Sequence, residues 1–258
     1  MKVVILAGGF GTRISEESLY KPKPMIELGG KPILWHIMKY YSAFDFNDFV
    51  ICAGYKQHII KEFFANYFIH TSDITFDFTK GDSIEVHDKH CEPWRVTVVD
   101  TGLNTLTGGR VKRIAKYITE ENFMLTYGDG LCDVNLYELV KFHEKNNKIA
   151  TITAVQPGSR YGTLDINSDN LIKNFAEKKL EDGGWINGGF MVLNKRVFDF
   201  IEGDQTTFEK EPLENICKAN ELVAFKHFGF WKCMDTLRDK NALEEFLITE
   251  KAPWKIWK

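Results

Sequence analysis

The chain has 258 residues, 44% hydrophobic and 27% charged, with a formal net charge of -3. That length and mix support one folded domain with at most a small appendage, and they argue against extensive disorder. With no long run of Lys or Arg, a non-specific grip on nucleic acid has no footprint in the sequence, and any bound anion is expected to be small and locally held.

Residues 2–6, KVVIL, predict a first strand. Apolar spacing predicts a helix over 33–44, then a strand at 49–53 and a helix at 59–68. Residues 74–86 alternate around Gly81-Asp82 and predict a hairpin inserted within 71–99, where a subunit contact is a natural use; a strand follows at 95–100. Next come a helix near 108–117, a strand at 123–127, a helix at 135–146 and a strand at 149–155. The last part predicts strands near 163–167, 171–176 and 186–193, helices near 195–202 and 209–219, a strand at 222–228 and a helix near 237–248. Alternation of this kind predicts an α/β, Rossmann-like fold with a mixed, mostly parallel central sheet, as a single domain over 1–258.

The five cysteines (Cys52, Cys91, Cys132, Cys217, Cys233) are odd in number and form no CxxC pair. They read as reduced thiols, mostly small core residues, of a cytoplasmic protein. The apolar start is too short for a signal-peptide core, and no stretch approaches a membrane span.

The first strand runs directly into LAGGFGTR, residues 6–13. A dinucleotide fingerprint would need a third glycine where Ile14 stands, and a P-loop would need a GK[ST] ending that occurs nowhere. A plain glycine turn that binds nothing stays open beside a phosphate site. Position favours the phosphate site: in open parallel sheets ligands collect at the carboxyl ends of strands. There Gly8, Gly9 and Gly11 let backbone N–H groups approach phosphates, and Arg13 offers a fork of donors. Pro22, Pro24 and Pro32 stiffen the stretch that carries Lys21, Lys23 and Lys31. HDKHC (87–91) lacks the partner ligands of a zinc site, and GxSxG and HExxH are absent. Trp231, Trp254 and Trp257 read as packing or subunit-contact residues.

LAGGFGTR, KPKPM (21–25), GGKPIL (29–34), TYGDG (126–130), AEKK (176–179) and NGGF (187–190) follow one another in an order that resembles the sugar-1-phosphate nucleotidylyltransferases. More narrowly, EPWRVTVVDTG (92–102), DTGLNTLTGGR (100–110), GFWKCMDTLRD (229–239) and KAPWK (251–255) are similar to the glucose-1-phosphate cytidylyltransferases.

The resemblance implies attack of a sugar 1-phosphate on the α-phosphorus of a nucleoside triphosphate, with loss of pyrophosphate. Two polyanions must meet, so positive charge and alignment are the main requirements. It implies Mg²⁺ as cofactor, held by Asp129 and Asp235, and catalytic roles for Arg13 and Lys23. Nucleotide binding falls to Leu6, Ala7, Gly8, Gly9, Phe10, Gly11, Thr12, Arg13, Lys23, Thr105, Arg110 and Gly128. The sugar-phosphate portion, within 160–258, is carried by Gly162, Glu177, Lys178, Asn187 and Gly188. Glu177-Lys178-Lys179 lacks the proline that usually follows Glu-Lys in the family, which leaves that loop less rigid. Thr101, Thr105 and Thr107 stand where thymidylyl and uridylyl relatives carry Gln or Glu near position 101, which favours CTP with glucose 1-phosphate as partner substrate. The inserted hairpin and the subgroup resemblance imply a homo-oligomer, a hexamer among the candidates, and a product destined for surface-polysaccharide sugars. Other nucleotides or sugar phosphates, a catalytically silent nucleotide-sugar-binding subunit and an NAD-dependent oxidoreductase remain as alternatives.

Overall fold

Val3, Ile5 and Ala7 point to one side of a sheet and Val4 and Leu6 to the other, and all five are buried, so the first strand lies in the middle of a sheet covered on both faces. The computed structural model describes residues 1–79, 81, 83–156, 163–176 and 184–257. Its central sheet comprises β1 (Val3–Ala7), β2 (Asp48–Ala53), β3 (Arg95–Asp100), β4 (Asn122–Tyr127), β5 (Ala150–Val155), β6 (Ile186–Asn187), β7 (Met191–Asn194) and β8 (Leu222–Lys226). β1 pairs in parallel with β2 on one side and β4 on the other, and β2 pairs in parallel with β3. β7 is antiparallel to both β4 and β5, and β8 is parallel to β5. The mixed, mostly parallel α/β sheet expected from the alternation of elements is present.

Helices α1 (Ile33–Ser42), α2 (Gln57–Ala65), α4 (Leu136–Asn146) and α6 (Leu237–Ile248) add Ile37, Ile60, Leu139 and Leu243 to the core on one face. Helices α3 (Thr107–Arg113) and α5 (Glu211–Lys218) add Val111, Leu213 and Ile216 to the other. Local chemistry sets several boundaries. Asn135 accepts from the Glu138 amide and starts α4, while Thr236 and Asp239 form a reciprocal cap at the start of α6.

Four expectations change, the first being the helix over 59–68, which ends as α2 at Ala65 and resumes after Asn66 as a separate short helix, Tyr67–Thr71. The strand over 186–193 is two pieces, because Gly189 (φ 74°) and Phe190 (φ 43°) take left-handed backbone and make a bulge against β5. A methyl on Gly188 would lie 2.9 Å from Val155 Cγ1, so the bulge also needs a residue without Cβ there. The helix over 195–202 is a 3-10 segment, Lys195–Phe200, and that over 108–117 breaks into α3 and a 3-10 turn at Ala115–Tyr117. The hairpin is present as Ser72–Asp77 and Ser83–Lys89, a two-stranded ribbon outside the central sheet with Phe76, Phe78 and Ile84 exposed. Among the described residues no helix is long and apolar enough to cross a membrane.

Candidate active site

The chain order of the sheet reverses at β1: β2 and β3 lie to one side and β4 to the other, which opens a crevice at the carboxyl ends of β1 and β4. The Gly128 amide donates to Leu6 O at 2.9 Å, so the two strands stay in register to the lip of that crevice. A cavity of about 480 Å³ fills it, lined by residues 6–13, Lys23, Pro24, residues 103–107, Arg110 and residues 127–129. Leu6, Ala7, Gly8, Gly9, Phe10, Gly11, Thr12, Arg13, Lys23, Thr105, Arg110 and Gly128 therefore share one cavity. Ile14, in the place of the third fingerprint glycine, is fully buried core.

Backbone shapes the first wall. Gly11 has φ 67° and its carbonyl accepts from the Ile14 amide at 3.1 Å, which turns the chain into a short 3-10 segment. A Cβ on Gly8 would lie 2.1 Å from Arg110 Nη1, so only glycine admits the Arg110 guanidinium behind the loop. That guanidinium donates to Thr101 Oγ1 and Gly102 O, each at 2.8 Å, and to Leu103 O at 3.2 Å. Burial lowers the Arg110 pKa from its ordinary value, and these contacts hold the cation against the loop at 101–105. Thr101 is fully buried and donates to Ala53 O, whereas Thr105 and Thr107 line the cavity.

Charge shapes the second wall. Lys23 sits in a 3-10 turn between Pro22 and Pro24, and its Nζ lies 2.5 Å from Asp129 Oδ2 and 2.7 Å from Asp235 Oδ1. Arg13 Nη1 donates to the other Asp235 oxygen at 2.7 Å. Asp129 follows β4 after Gly128. Asp235 reaches it through a small antiparallel ladder that pairs Cys233 with Gly130, and the Met234 amide donates to Asp129 O at 2.8 Å. Burial pulls the Lys23 pKa down, but the Asp129 and Asp235 carboxylates outweigh it and hold the ammonium above the ordinary lysine value. Asp129, Cys233 and Asp235 place ligand atoms within 4.8 Å of one another, the group of described residues able to hold a metal ion. Burial pushes the Cys233 thiol well up, so the two carboxylates are the anionic donors, and such hard oxygens fit Mg²⁺.

Asn187 and Gly188 lie beside this cavity rather than in its lining, and Asn187 reaches it through a 3.2 Å contact to the Tyr127 hydroxyl. Gly162, Glu177 and Lys178 lie outside the described residues. Residues 87–91 fall on and just after the exposed hairpin. Trp254 is fully buried beside Phe230 and His36, Trp257 packs on Trp35, and Trp231 Nε1 donates to Gly188 O at 2.7 Å. Cys52, Cys132 and Cys217 are buried, Cys91 is exposed and Cys233 is half-buried. Pro24, Leu103, Asn104, Leu106, Thr107 and Tyr127 line the cavity without having been singled out as binding residues. All six lie within the motifs KPKPM, DTGLNTLTGGR and TYGDG, so membership of a motif was the available signal. Cys233 had only its place two residues before Asp235.

A family model described as nucleotidyl transferase matches residues 2–236. The chain is 55% identical over 258 residues, the whole of both proteins, to the glucose-1-phosphate cytidylyltransferase of Salmonella typhimurium. Among solved structures it is similar to HddC from Yersinia pseudotuberculosis, with a TM-score of 0.74 and 25% identity over 95% of this chain and 99% of that one. It also shares the fold of a UDP-glucose pyrophosphorylase complexed with UDP-glucose, with a TM-score of 0.75 and 14% identity over 96% of this chain and 98% of that one. A strand-end cavity beside a paired-carboxylate cluster, a family model spanning nearly the whole sequence and a full-length relative at this identity converge: the chain belongs to the nucleotidyl transferase family.

Proposed function

We propose that the protein is a glucose-1-phosphate cytidylyltransferase, which joins glucose 1-phosphate to the cytidylyl group of CTP and releases pyrophosphate. One observation carries this reading: the cavity at the sheet's reversal point shares its lining residues Arg13, Lys23 and Asp129 with the charge cluster that Asp235 completes. The full-length relative supplies the nucleotide and the sugar.

In this reading the open side of Gly9, where an added Cβ would meet nothing within 4 Å, leaves backbone free to face the nucleotide. Arg110 braces that same wall from behind Gly8, and Thr105 lines the cavity next to it. Arg13 and Lys23 neutralise the triphosphate and stabilise the departing pyrophosphate. Asp129 and Asp235 are the residues that would hold Mg²⁺, which supplies neutralisation of phosphate oxygens when bound. Lys178 grips the sugar phosphate, Glu177 accepts from sugar hydroxyls, and Gly162, Asn187 and Gly188 line that side. No side-chain nucleophile is required, because the sugar phosphate is already anionic and attacks in line.

The protein acts as one domain over 1–258 in the cytoplasm, with its product used for surface-polysaccharide sugars. The exposed Phe76, Phe78 and Ile84 support a homo-oligomer joined through the hairpin; light scattering on the purified protein measures its size, and a monomer defeats that assignment. For the activity, the purified chain is incubated with glucose 1-phosphate and each of CTP, UTP and dTTP while pyrophosphate is followed. Preferred turnover of CTP is expected, and preference for UTP or dTTP overturns the assignment.

A further inference from the structure

Glu209 lies far in sequence from every motif noted above, two residues before α5. It does not cap that helix, whose cap position is Lys210, and among the described residues no cation pairs with it. Its two oxygens go instead to two hydroxyls of the cavity wall. Thr107 Oγ1 donates to Oε2 at 2.6 Å, and the Tyr127 hydroxyl donates to Oε1 at 2.7 Å. Such charge-assisted contacts are short and directional. They also explain how a carboxylate sits next to a cavity built for polyanions, since both of its oxygens are engaged by neutral donors.

The connection continues past Tyr127. Asn187 Nδ2 donates to the Tyr127 hydroxyl at 3.2 Å, and Asn187 Oδ1 accepts from the Gly189 amide at 2.9 Å. A Cβ on Gly189 would lie 3.0 Å from Tyr127 Cδ2, so ring and bulge are in close contact. On the other side the segment carrying Glu209 is anchored to the start of α3. Asp204 O accepts from the Leu106 amide at 2.9 Å, Thr206 O from the Gly108 amide at 2.9 Å, and Asp204 pairs with Arg113. Gly109 permits the approach, since its Cβ would lie 2.5 Å from Asp204 Cα. A continuous chain of contacts therefore runs from Thr107 on the nucleotide wall through Glu209 and Tyr127 to Asn187 and the bulge.

We propose that Glu209 is a positioning residue that ties the nucleotide wall to the Asn187 loop, so that the sugar phosphate is placed correctly only when Tyr127 is held from both sides. This rests on the proposed function. Networks of this kind act as a unit, and removing any one link is expected to cost nearly as much as removing two.

The test compares wild type, Glu209→Gln, Tyr127→Phe and the double variant, following pyrophosphate release with CTP saturating and glucose 1-phosphate varied. Each single variant is expected to raise the KM for glucose 1-phosphate by about tenfold, as for loss of a hydrogen bond to a charged group. The double variant should go no further, and kcat should fall by less than about threefold. Thermal unfolding of all four proteins is measured alongside, because a merely structural role lowers Tm without this KM-against-kcat split. An unchanged KM for glucose 1-phosphate, effects that multiply in the double variant, or a change confined to the KM for CTP overturns the inference while leaving the activity in place. A wild-type protein that releases no pyrophosphate defeats the underlying reading, and this one with it.

Discussion

Around Gly8 the crevice is shaped by backbone and a single buried guanidinium, whereas around Asp129 it is shaped by four charged side chains drawn from three distant stretches of chain. The first wall interlocks through Gly8, Arg110 and Thr101, with the side of Gly9 left open. The second is balanced rather than rigid, because Lys23 and Arg13 satisfy carboxylates that a metal ion would otherwise take up. A binding surface benefits from preorganisation, while a site that handles charge needs partners able to exchange.

The largest effect tests the charged wall. Asp129→Ala is expected to lower turnover by at least about 10³-fold while circular dichroism and thermal unfolding stay close to wild type. Undiminished pyrophosphate release would remove Asp129 from the chemistry. Next, Lys23→Met should reduce turnover by about 10²-fold. It should also tighten the binding of Mg²⁺ in the absence of nucleotide, measured by calorimetry, since Asp129 and Asp235 lose the ammonium between them. Weaker Mg²⁺ binding would show that the lysine and the cation do not share those carboxylates.

On the backbone wall, Gly8→Ala forces a methyl against Arg110 and should cost about 1–3 kcal/mol of stability by overpacking, with a rise in the KM for CTP. A variant with wild-type Tm and KM would mean that this wall yields as readily as the charged one. The smallest effect lies outside both walls. Burial lowers the His143 pKa to about 4, and its ring contacts Thr151 Oγ1 at 2.9 Å. Because the folded value lies below the ordinary 6.5, the neutral ring favours the fold above pH 6.5, and that contribution is lost as pH falls from 6.5 towards 4. His143→Asn should therefore flatten the fall of Tm over this range and leave turnover at pH 7 unchanged. An equally steep fall in the variant would place the acid sensitivity elsewhere.

Much of the fold was readable from pattern. The strands around 3–7, 95–100 and 122–127 and the helix at 237–248 carry periodicity and caps strong enough to place them within a residue or so. The break in the strand at 186–194 was marked only by Gly188-Gly189, which signal a bulge without fixing its place, while the left-handed Phe190 carries no residue-type signal of its own. Its conformation is held by Thr153 Oγ1 donating to Phe190 O at 2.8 Å and by the stack of its ring on Tyr41. The nucleotide motifs were legible as residue types for the same reason that they work: glycines and an arginine at the end of a strand act over a few residues.

The sequence by itself determined the α/β class and the carboxyl-edge placement of the glycine loop with Arg13, because periodicity and turn chemistry are local, whereas Lys23, Asp129 and Asp235 were named only through the family resemblance of their motifs. Only the tertiary structure decided that Lys23 bridges Asp129 and Asp235, that Arg110 spends its donors on the loop behind Gly8, and that Glu209 meets Thr107 and Tyr127. The Lys23 and Glu209 pairings span from 82 to 212 positions along the chain, and which side chains meet across such distances is set by sheet order and ladder register rather than by any short stretch of residues.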